Sequence, residues 1–372
     1  MVRDWEALVS IESGSLEPEN VNRAAQWVHD QFSSLGFDCR FIDASPNGKG
    51  VVGLVNGEVD AEPVVFSGHF DTVFKQGTLE NNPFRIEDGK VYGPGALDMK
   101  GGIVISLYVV KCLLENGYKE RPLKILYVGD EEIGHAKANT AQLMMEEAKG
   151  AFCAFNMETG LPTGNLCIGR KGRIGIVIGV DGVEAHSGND FEKGVCAIEE
   201  AAYKILEFRK LTNLETGTTA STNVIRGGTV SNVIAGRCEF EVDIRFARVD
   251  AKDFIDKEIE RIVKTSYAPG SKAELVSYNV MDAYETTDDV RTFMAFCARI
   301  SKEYGFGEIE GLQLGGSSDA SYVTIAGTPI ICSFGVQGQW NHTPREYAIL
   351  ETLFKRAKFI VTIIANLNQL SF

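Results

Sequence analysis

Apolar and polar positions follow two different rhythms along the chain. In the first half, short apolar runs at 51–55, 63–67, 123–128 and 151–156 read as strands, and helical spacing covers 20–35 and 102–115. The second of these helices closes at Asn116-Gly117, a suitable C-cap. Strands alternating with helices predict an α/β fold with a largely parallel sheet. After "GRKGR", 169–173, the order becomes strand 174–180, helix 193–209, strands 222–226 and 237–246, helix 250–266 and strand 272–280. That β-α-β-β-α-β succession is the split ferredoxin-like arrangement. Its clearest strand, "RCEFEVDIRF", puts Cys238, Phe240, Val242, Ile244 and Phe246 on one face and Glu239, Glu241, Asp243 and Arg245 on the other. Such alternation suits an antiparallel sheet covered by helices on one side. The α/β rhythm then returns, with helix 288–304, strand 328–335 and helix 346–367. The pattern therefore predicts a small α+β domain, 174–280, inserted between the two parts, 1–173 and 281–372, of a larger α/β domain.

Bulk properties narrow the setting. A length of 372 residues suits two domains. No run of 18 or more apolar residues occurs, so no membrane span is expected. The N-terminal "MVRDWEALVSIESGS" lacks an apolar stretch behind a basic one, and the 8 cysteines are scattered without a CxxC pair. Both features point to a cytoplasmic protein with reduced, mostly buried thiols. The net charge of −14 argues against nucleic acid or an anionic membrane as partner. A site rich in carboxylates that binds divalent cations would add to that balance, although surface acid alone accounts for it.

The chemistry lies at the strand ends. Open α/β sheets bind ligands outside the carboxyl ends of their strands. There the chain places His69 and Asp71 in "SGHFDTV", Glu131 and Glu132 in "GDEEIG", Glu158 in "METG" and His342 in "GQWNHTP". Asp98 sits in the glycine-rich "GPGALDMKGG" just before a helix. Two histidines and three carboxylates fit a two-metal site, since Zn²⁺ accepts imidazole nitrogen and carboxylate oxygen. Asp98, on a tight loop, is the natural bridging carboxylate. His69 and Asp71 share a side of an extended chain, so Asp71 can hold the second nitrogen of His69. Glu131 and Glu132 point in different directions, so one can ligate a metal while the other serves as a general base. Taken singly, each piece has a plainer reading: a hydrogen-bonded turn for HxD, a solvated helix start for "DEE". The convergence carries the argument. His29 falls within a helix and reads as structural, while His135 either supports the acids from behind or is merely exposed. No reason for Asp130 is visible.

Those motifs, in that order along essentially the whole chain, resemble the M20 family of zinc peptidases and amidohydrolases. The glycine-rich loop looks most like that of the glutamate carboxypeptidase branch. The resemblance implies a zinc-exopeptidase-like catalytic domain carrying an inserted ferredoxin-like lid and dimerisation domain. It implies Asp98 bridging two divalent metal ions, with His69 and Glu158 completing one site and Glu132 and His342 the other. Zinc is favoured by ligand type, and cobalt or manganese can use the same donors. It further implies Glu131 as the base, a cis peptide at Asp98-Met99, and His186 of "AHSG" reaching a partner subunit's site to stabilise an oxyanion. Asn232 and Arg245 match residues that hold a substrate carboxylate, and Gly316 and Ser317 fall in the loop "GGSSDA" that resembles a substrate loop. Without the resemblance, Arg245 reads as a partner of Glu241 or Asp243 on its own sheet. The chain departs from the glutamate branch in lacking an arginine in "SYNVMDAYETTDD". The expectation is a cytoplasmic, homodimeric, dizinc hydrolase of a peptide or N-acyl amide bond beside an amino acid with a free carboxylate. A biosynthetic deacylase or desuccinylase, and a metal-binding scaffold without catalysis, are the alternatives.

Overall fold

The computed structural model describes residues 1–372. The chain forms two compact units. The first comprises Met1–Gly169, Thr286–Gln313 and Ser318–Phe372; the second comprises Arg170–Glu285 and Leu314–Ser317. No helix is long and apolar enough to cross a membrane.

The first unit is built on a six-stranded sheet in the order Asp38–Asp43, Lys49–Val55, Leu123–Val128, Val64–His69, Cys153–Asn156 and Ile330–Ile331. The first two pairings are antiparallel and the remaining three parallel. All six residues of Val64–His69 are buried, as expected of a central strand covered on both faces. The parallel register is what assembles the site. His69 lies opposite Val128, three residues before Glu131, and Ser67 lies opposite Asn156, two residues before Glu158. The strands expected at 51–55, 63–67, 123–128 and 151–156 are all present within a residue or two, whereas Asp38–Asp43, with polar residues at 38, 40 and 43, was not expected as a strand.

A small antiparallel sheet does a second job. It joins Gly338–Gln339, Tyr347–Ile349, Lys90–Tyr92 and Arg85–Glu87, in that order. Tyr347 pairs with Tyr92, so the hairpin carrying His342 is tied to the segment that runs into Asp98. Two expectations shift as a result. The helix expected at 346–367 is Leu350–Ile364, because 347–349 extend to pair with 90–92. The strand expected at 328–335 shrinks to Ile330–Ile331, since Cys332 bridges Cys167 outside the sheet and Ser333 turns to a φ of 73°.

The second unit holds four antiparallel strands in the order Thr219–Gly227, Arg237–Phe246, Gly172–Asp181 and Lys272–Met281. The helices Ala197–Arg209 and Ala251–Lys264 pack on it through Ala201, Phe208, Ile255, Ile259 and Ile262. Burial alternates strictly along Arg237–Phe246, as its sequence predicts. Between the helices, buried Lys204 donates to the carbonyls of Ile262, Val263 and Thr265 and pairs with Glu200 at 2.9 Å. It thus satisfies carbonyls left open at a helix end.

The helix Gly101–Glu115 is pinned to the site by a close backbone approach. A Cβ on Gly102 would lie 1.9 Å from the carbonyl oxygen of Met157, next to Glu158. Gly102→Ala should improve intrinsic helix propensity by up to about 1 kcal/mol. The clash should outweigh that gain, for a net loss of about 1–3 kcal/mol. A lower thermal unfolding midpoint for the variant is expected; a raised one would show that the helix can move away from Met157.

Candidate metal centre

Five segments converge at the carboxyl edge of the parallel strands. His69 ends its strand, buried, with Nε2 3.1 Å from Glu158 Oε1, 3.5 Å from Asp98 Oδ1 and 3.9 Å from Glu131 Oε2. His342, half-exposed on its hairpin, places Nε2 3.2 Å from Asp98 Oδ2 and 3.2 Å from Glu132 Oε2. The two oxygens of Asp98 therefore face two different histidines, and each histidine has a further carboxylate of its own. Donor atoms of His69, Asp98 and Glu132, and of His69, Glu131 and Glu158, all lie within 4.8 Å of one another. Imidazole nitrogens among carboxylate oxygens, with one carboxylate shared, are a donor set that fits a pair of divalent cations.

The surroundings hold these side chains in place. Nδ1 of His69 lies 3.1 Å from the Asp71 carbonyl and 3.3 Å from Asp71 Oδ1. Asp71 is fully buried and also accepts from Ser15 Oγ at 2.6 Å and from the backbone N–H groups of Glu131 and Glu132 at 3.3 and 3.1 Å. One carboxylate thus orients the histidine and the acidic turn together. Asn341 Nδ2 donates to Asp98 Oδ2 at 2.9 Å. The Asp98-Met99 peptide is cis, and Met99 Sδ accepts from the His69 N–H at 3.2 Å. Gly68 has a φ of 154°, and a Cβ there would lie 2.3 Å from Met99 Cε. Only glycine allows the methionine this close to the histidine strand.

Charge is concentrated here. Burial, with the carboxylates of Asp319, Glu158 and Glu132, pushes Glu131 well above the usual range despite His69. Burial raises Glu132 to about 7. Burial opposes charge on His69, but Glu158, Asp71 and Asp98 outweigh it and hold its pKa well above the ordinary value. Hydrogen bonds to Asp98 and Glu132 raise His342 to about 11. Asp98 itself is depressed, its burial overcome by the two histidines. A nearby cation would favour the ionised form of each carboxylate and the unprotonated form of each histidine.

Four further residues, Asp130, His135, Glu346 and Lys100, surround the site. Asp130 is buried and accepts from Asn47 Nδ2 at 3.0 Å and Thr140 Oγ1 at 2.8 Å, and it lies 2.8 Å from His135 Nδ1. The other nitrogen of His135 lies 2.8 Å from Asp319 Oδ1. His135 is therefore neither exposed nor close to the Asp98 cluster as a ligand: it braces the turn that carries Glu131 and Glu132. Glu346, also buried, accepts from the N–H groups of Leu97 and Asp98 at 3.0 and 3.4 Å, and burial raises it to about 8. Lys100, fully buried, donates to the Ile11 carbonyl at 2.6 Å. Asp130 and His135 stand next to the acids in the sequence and Lys100 in the glycine-rich loop, but their partners are not local, and Glu346 is marked by no motif.

The remaining candidates, His186, Asn232, Arg245, Gly316 and Ser317, belong to the second unit. His186 is exposed, its Nδ1 accepting from the N–H groups of Gly188 and Asn189 at 3.2 and 3.1 Å. The Asn232 carbonyl accepts from the Ser187 N–H at 3.0 Å, which ties these two segments together. Arg245 donates from Nε and Nη2 to Asp243 at 2.7 and 3.2 Å, and Arg173 shares that carboxylate. Ser317 Oγ donates to the Lys171 carbonyl at 3.0 Å, and Gly316 precedes it, where a Cβ would lie 3.6 Å from Arg170 Nη1.

Fold and cluster together define an α/β protein with a candidate binuclear metal centre at its sheet edge. Residues 65–366 match Peptidase family M20/M25/M40, and the chain belongs to that family. It is 27% identical over 373 residues to carboxypeptidase G2 from Pseudomonas sp. (strain RS-16), covering 99% of this chain and 89% of that protein. It is 26% identical over 363 residues to succinyl-diaminopimelate desuccinylase from Rickettsia rickettsii (strain Sheila Smith), covering 89% and 91%. The crystal structure of aminopeptidase PepT from Bacillus cereus ATCC 10987 superposes with a TM-score of 0.80 at 21% identity, covering 98% of this chain and 96% of that one, and shows the shared fold. With this family and these relatives, the chain is an amide-bond hydrolase.

The Asp130–His135–Asp319 brace has a predictable pH signature. His135 is raised well above 6.5, its burial outweighed by Asp319 and Asp130. Its contribution to stability is therefore complete below about pH 6.5 and fades as pH rises through the folded value. Asp130 is depressed from 3.8, burial being outweighed by His135, so its contribution is present above about pH 4 and is lost in acid. Replacing His135 by Asn should cost about 3–5 kcal/mol between those limits. The deficit should narrow in alkali, as read from unfolding midpoints of both proteins across pH. A deficit constant with pH would mean that the histidine is neutral in the fold.

Proposed function

We propose that the chain is a dizinc hydrolase that cleaves a peptide or N-acyl amide bond beside an amino acid with a free carboxylate. The observation that carries this reading is the division of Asp98 between two histidines, each with its own further carboxylate. His69, Asp98 and Glu158 would hold one cation, and His342, Asp98 and Glu132 the other. Zinc, or cobalt or manganese on the same donors, supplies Lewis acidity toward a carbonyl and toward water when bound. The protein's own part falls first to Glu131. Its burial and raised pKa suit a carboxylate that takes a proton from the attacking water and delivers it to the departing nitrogen. Asp71 keeps His69 in one orientation and holds the backbone of Glu131 and Glu132, so base and ligand stay in register. A recess of 190 Å³ beside Glu132, walled by Leu16, Thr72, Phe74 and Ile133, offers room for a substrate side group.

The second unit supplies the remaining roles in this proposal. Arg245 already makes a two-point contact with Asp243, the geometry in which a guanidinium would grip a substrate carboxylate. Asn232 would share that carboxylate, and Gly316 and Ser317 would line the substrate loop. His186, exposed and adjacent to the Asn232 segment, would act on the oxyanion in the site of a second copy of the chain, which makes the working form a homodimer. The desuccinylase relative supports a second reading with the same bond chemistry and a succinyl acyl group.

Turnover on a panel of dipeptides and N-acyl amino acids, including N-succinyl compounds, separates these readings. Glu131→Gln should lower kcat by about 10²–10⁴-fold while leaving metal content intact. Exhaustive chelation should abolish activity, and re-addition of Zn²⁺ should restore it. Full activity in Glu131→Gln would overturn the assigned base, and full activity after chelation would overturn the metal mechanism.

A further inference from the structure

A second cavity in the first unit contains a charge that the hydrolytic machinery does not use. It encloses about 270 Å³ and is lined by Thr163, Ser301, Phe306, Ile309, Arg356 and Phe359 among others. None of His69, Asp98, Glu131, Glu132, Glu158 or His342 takes part. Arg356 lies on the helix Leu350–Ile364 and is only 6% exposed. Its one hydrogen bond runs from Nη2 to the Gly164 carbonyl at 3.0 Å. A guanidinium carries five donors and a full charge, so one carbonyl leaves most of it unanswered.

No acid nearby neutralises it. Glu308, at the edge of the cavity, is engaged by Lys302 at 3.0 Å, and the neighbouring Lys355 is engaged by Glu351 at 2.7 Å. Burial alone lowers the Arg356 pKa to about 10, and no carboxylate raises it again. Water in the cavity would satisfy N–H groups but would not balance the charge. An isolated buried ion costs several kcal/mol even after relaxation. An anion removes that penalty. The walls indicate which kind: Phe306 and Phe359 stand with ring centroids 5.1 Å apart, and Ile309 adds to the apolar side. A planar fork beside aromatic and aliphatic walls suits a carboxylate on an apolar body better than a fully hydrated phosphate.

We propose that Arg356 anchors a second ligand site, separate from the candidate metal centre, that takes a small carboxylic acid with an apolar body. The site stands whatever the substrate of the hydrolytic centre turns out to be.

Calorimetric titration of the full chain with benzoate tests this, with benzamide and inorganic phosphate as comparison probes. Each titration is repeated after exhaustive chelation, which removes any benzoate bound through a metal. The expected result is saturable benzoate binding at millimolar concentration that survives chelation and exceeds binding of both comparison probes. It should weaken by about tenfold or more in Arg356→Gln, the loss expected for a hydrogen bond to a charged group. Ile309→Trp narrows the cavity but keeps the guanidinium, and it should also weaken binding; it decides the matter alone if Arg356→Gln does not fold. The proposal is overturned if benzoate does not bind the wild-type chain, if binding vanishes on chelation, if benzamide or phosphate binds equally well, or if a folded variant binds benzoate as wild type does.

Discussion

The first unit depends on the placement of one carboxylate. Asp98 offers one oxygen to His69 and the other to His342, residues that reach it from segments far apart in the chain. Three structural decisions make this possible. Parallel pairing of Val64–His69 with both neighbours sets His69, the acidic turn and Glu158 side by side. The short pairing of Tyr347 with Tyr92 brings in the His342 hairpin. The N–H groups of Leu97 and Asp98 are held by Glu346, which keeps the loop from turning away. Burial first, and the repulsion of neighbouring acids second, raise the pKa values of Glu131 and Glu132. The histidines oppose that repulsion, and the proposed cations would complete the balance.

How much of this could be read beforehand follows from the range of the interactions involved. The central strands, and His69, Glu131, Glu132 and Glu158 at their ends, were legible as apolar runs followed closely by a His or a carboxylate, while Asp98 stood out by its glycine-rich loop and His342 by the order of motifs. The family resemblance then separated Glu131 from Glu132 in a way that spacing alone does not. The hairpin sheet was not legible, because its strands span only two or three residues and draw their stability from partners about 250 positions away. The final helix was accordingly started too early. Asp130 and His135 were visible as residues but not as a pair, since their shared brace to Asn47, Thr140 and Asp319 exists only in three dimensions. Glu346 and Arg356 carry no pattern, and Lys100, though inside the glycine-rich loop, gives no sign of its burial. They became informative only when their burial was known.

The second unit was read more directly from its own sequence. The alternation along Arg237–Phe246 specifies its register, and the two helices cover the apolar face so defined. Its polar face is a network of acids and arginines, Arg173, Asp243 and Arg245 among them. Both readings of Arg245 draw on this network. The guanidinium is held by Asp243 in the structure, and the proposed substrate carboxylate would have to take that place. The buried Lys204, by contrast, is committed to the end of a helix and has no such freedom.

The central claim is that a single carboxylate is shared between two cations. Metal content after equilibration with Zn²⁺ and removal of excess, measured by plasma mass spectrometry, tests it most directly. Wild type should hold about two ions per chain. His342→Ala should keep about one, at the His69 and Glu158 side. Asp98→Ala should fall below either, because both positions lose a ligand at once. Wild-type content well below two, or an Asp98→Ala variant that keeps as much metal as His342→Ala, would contradict the account.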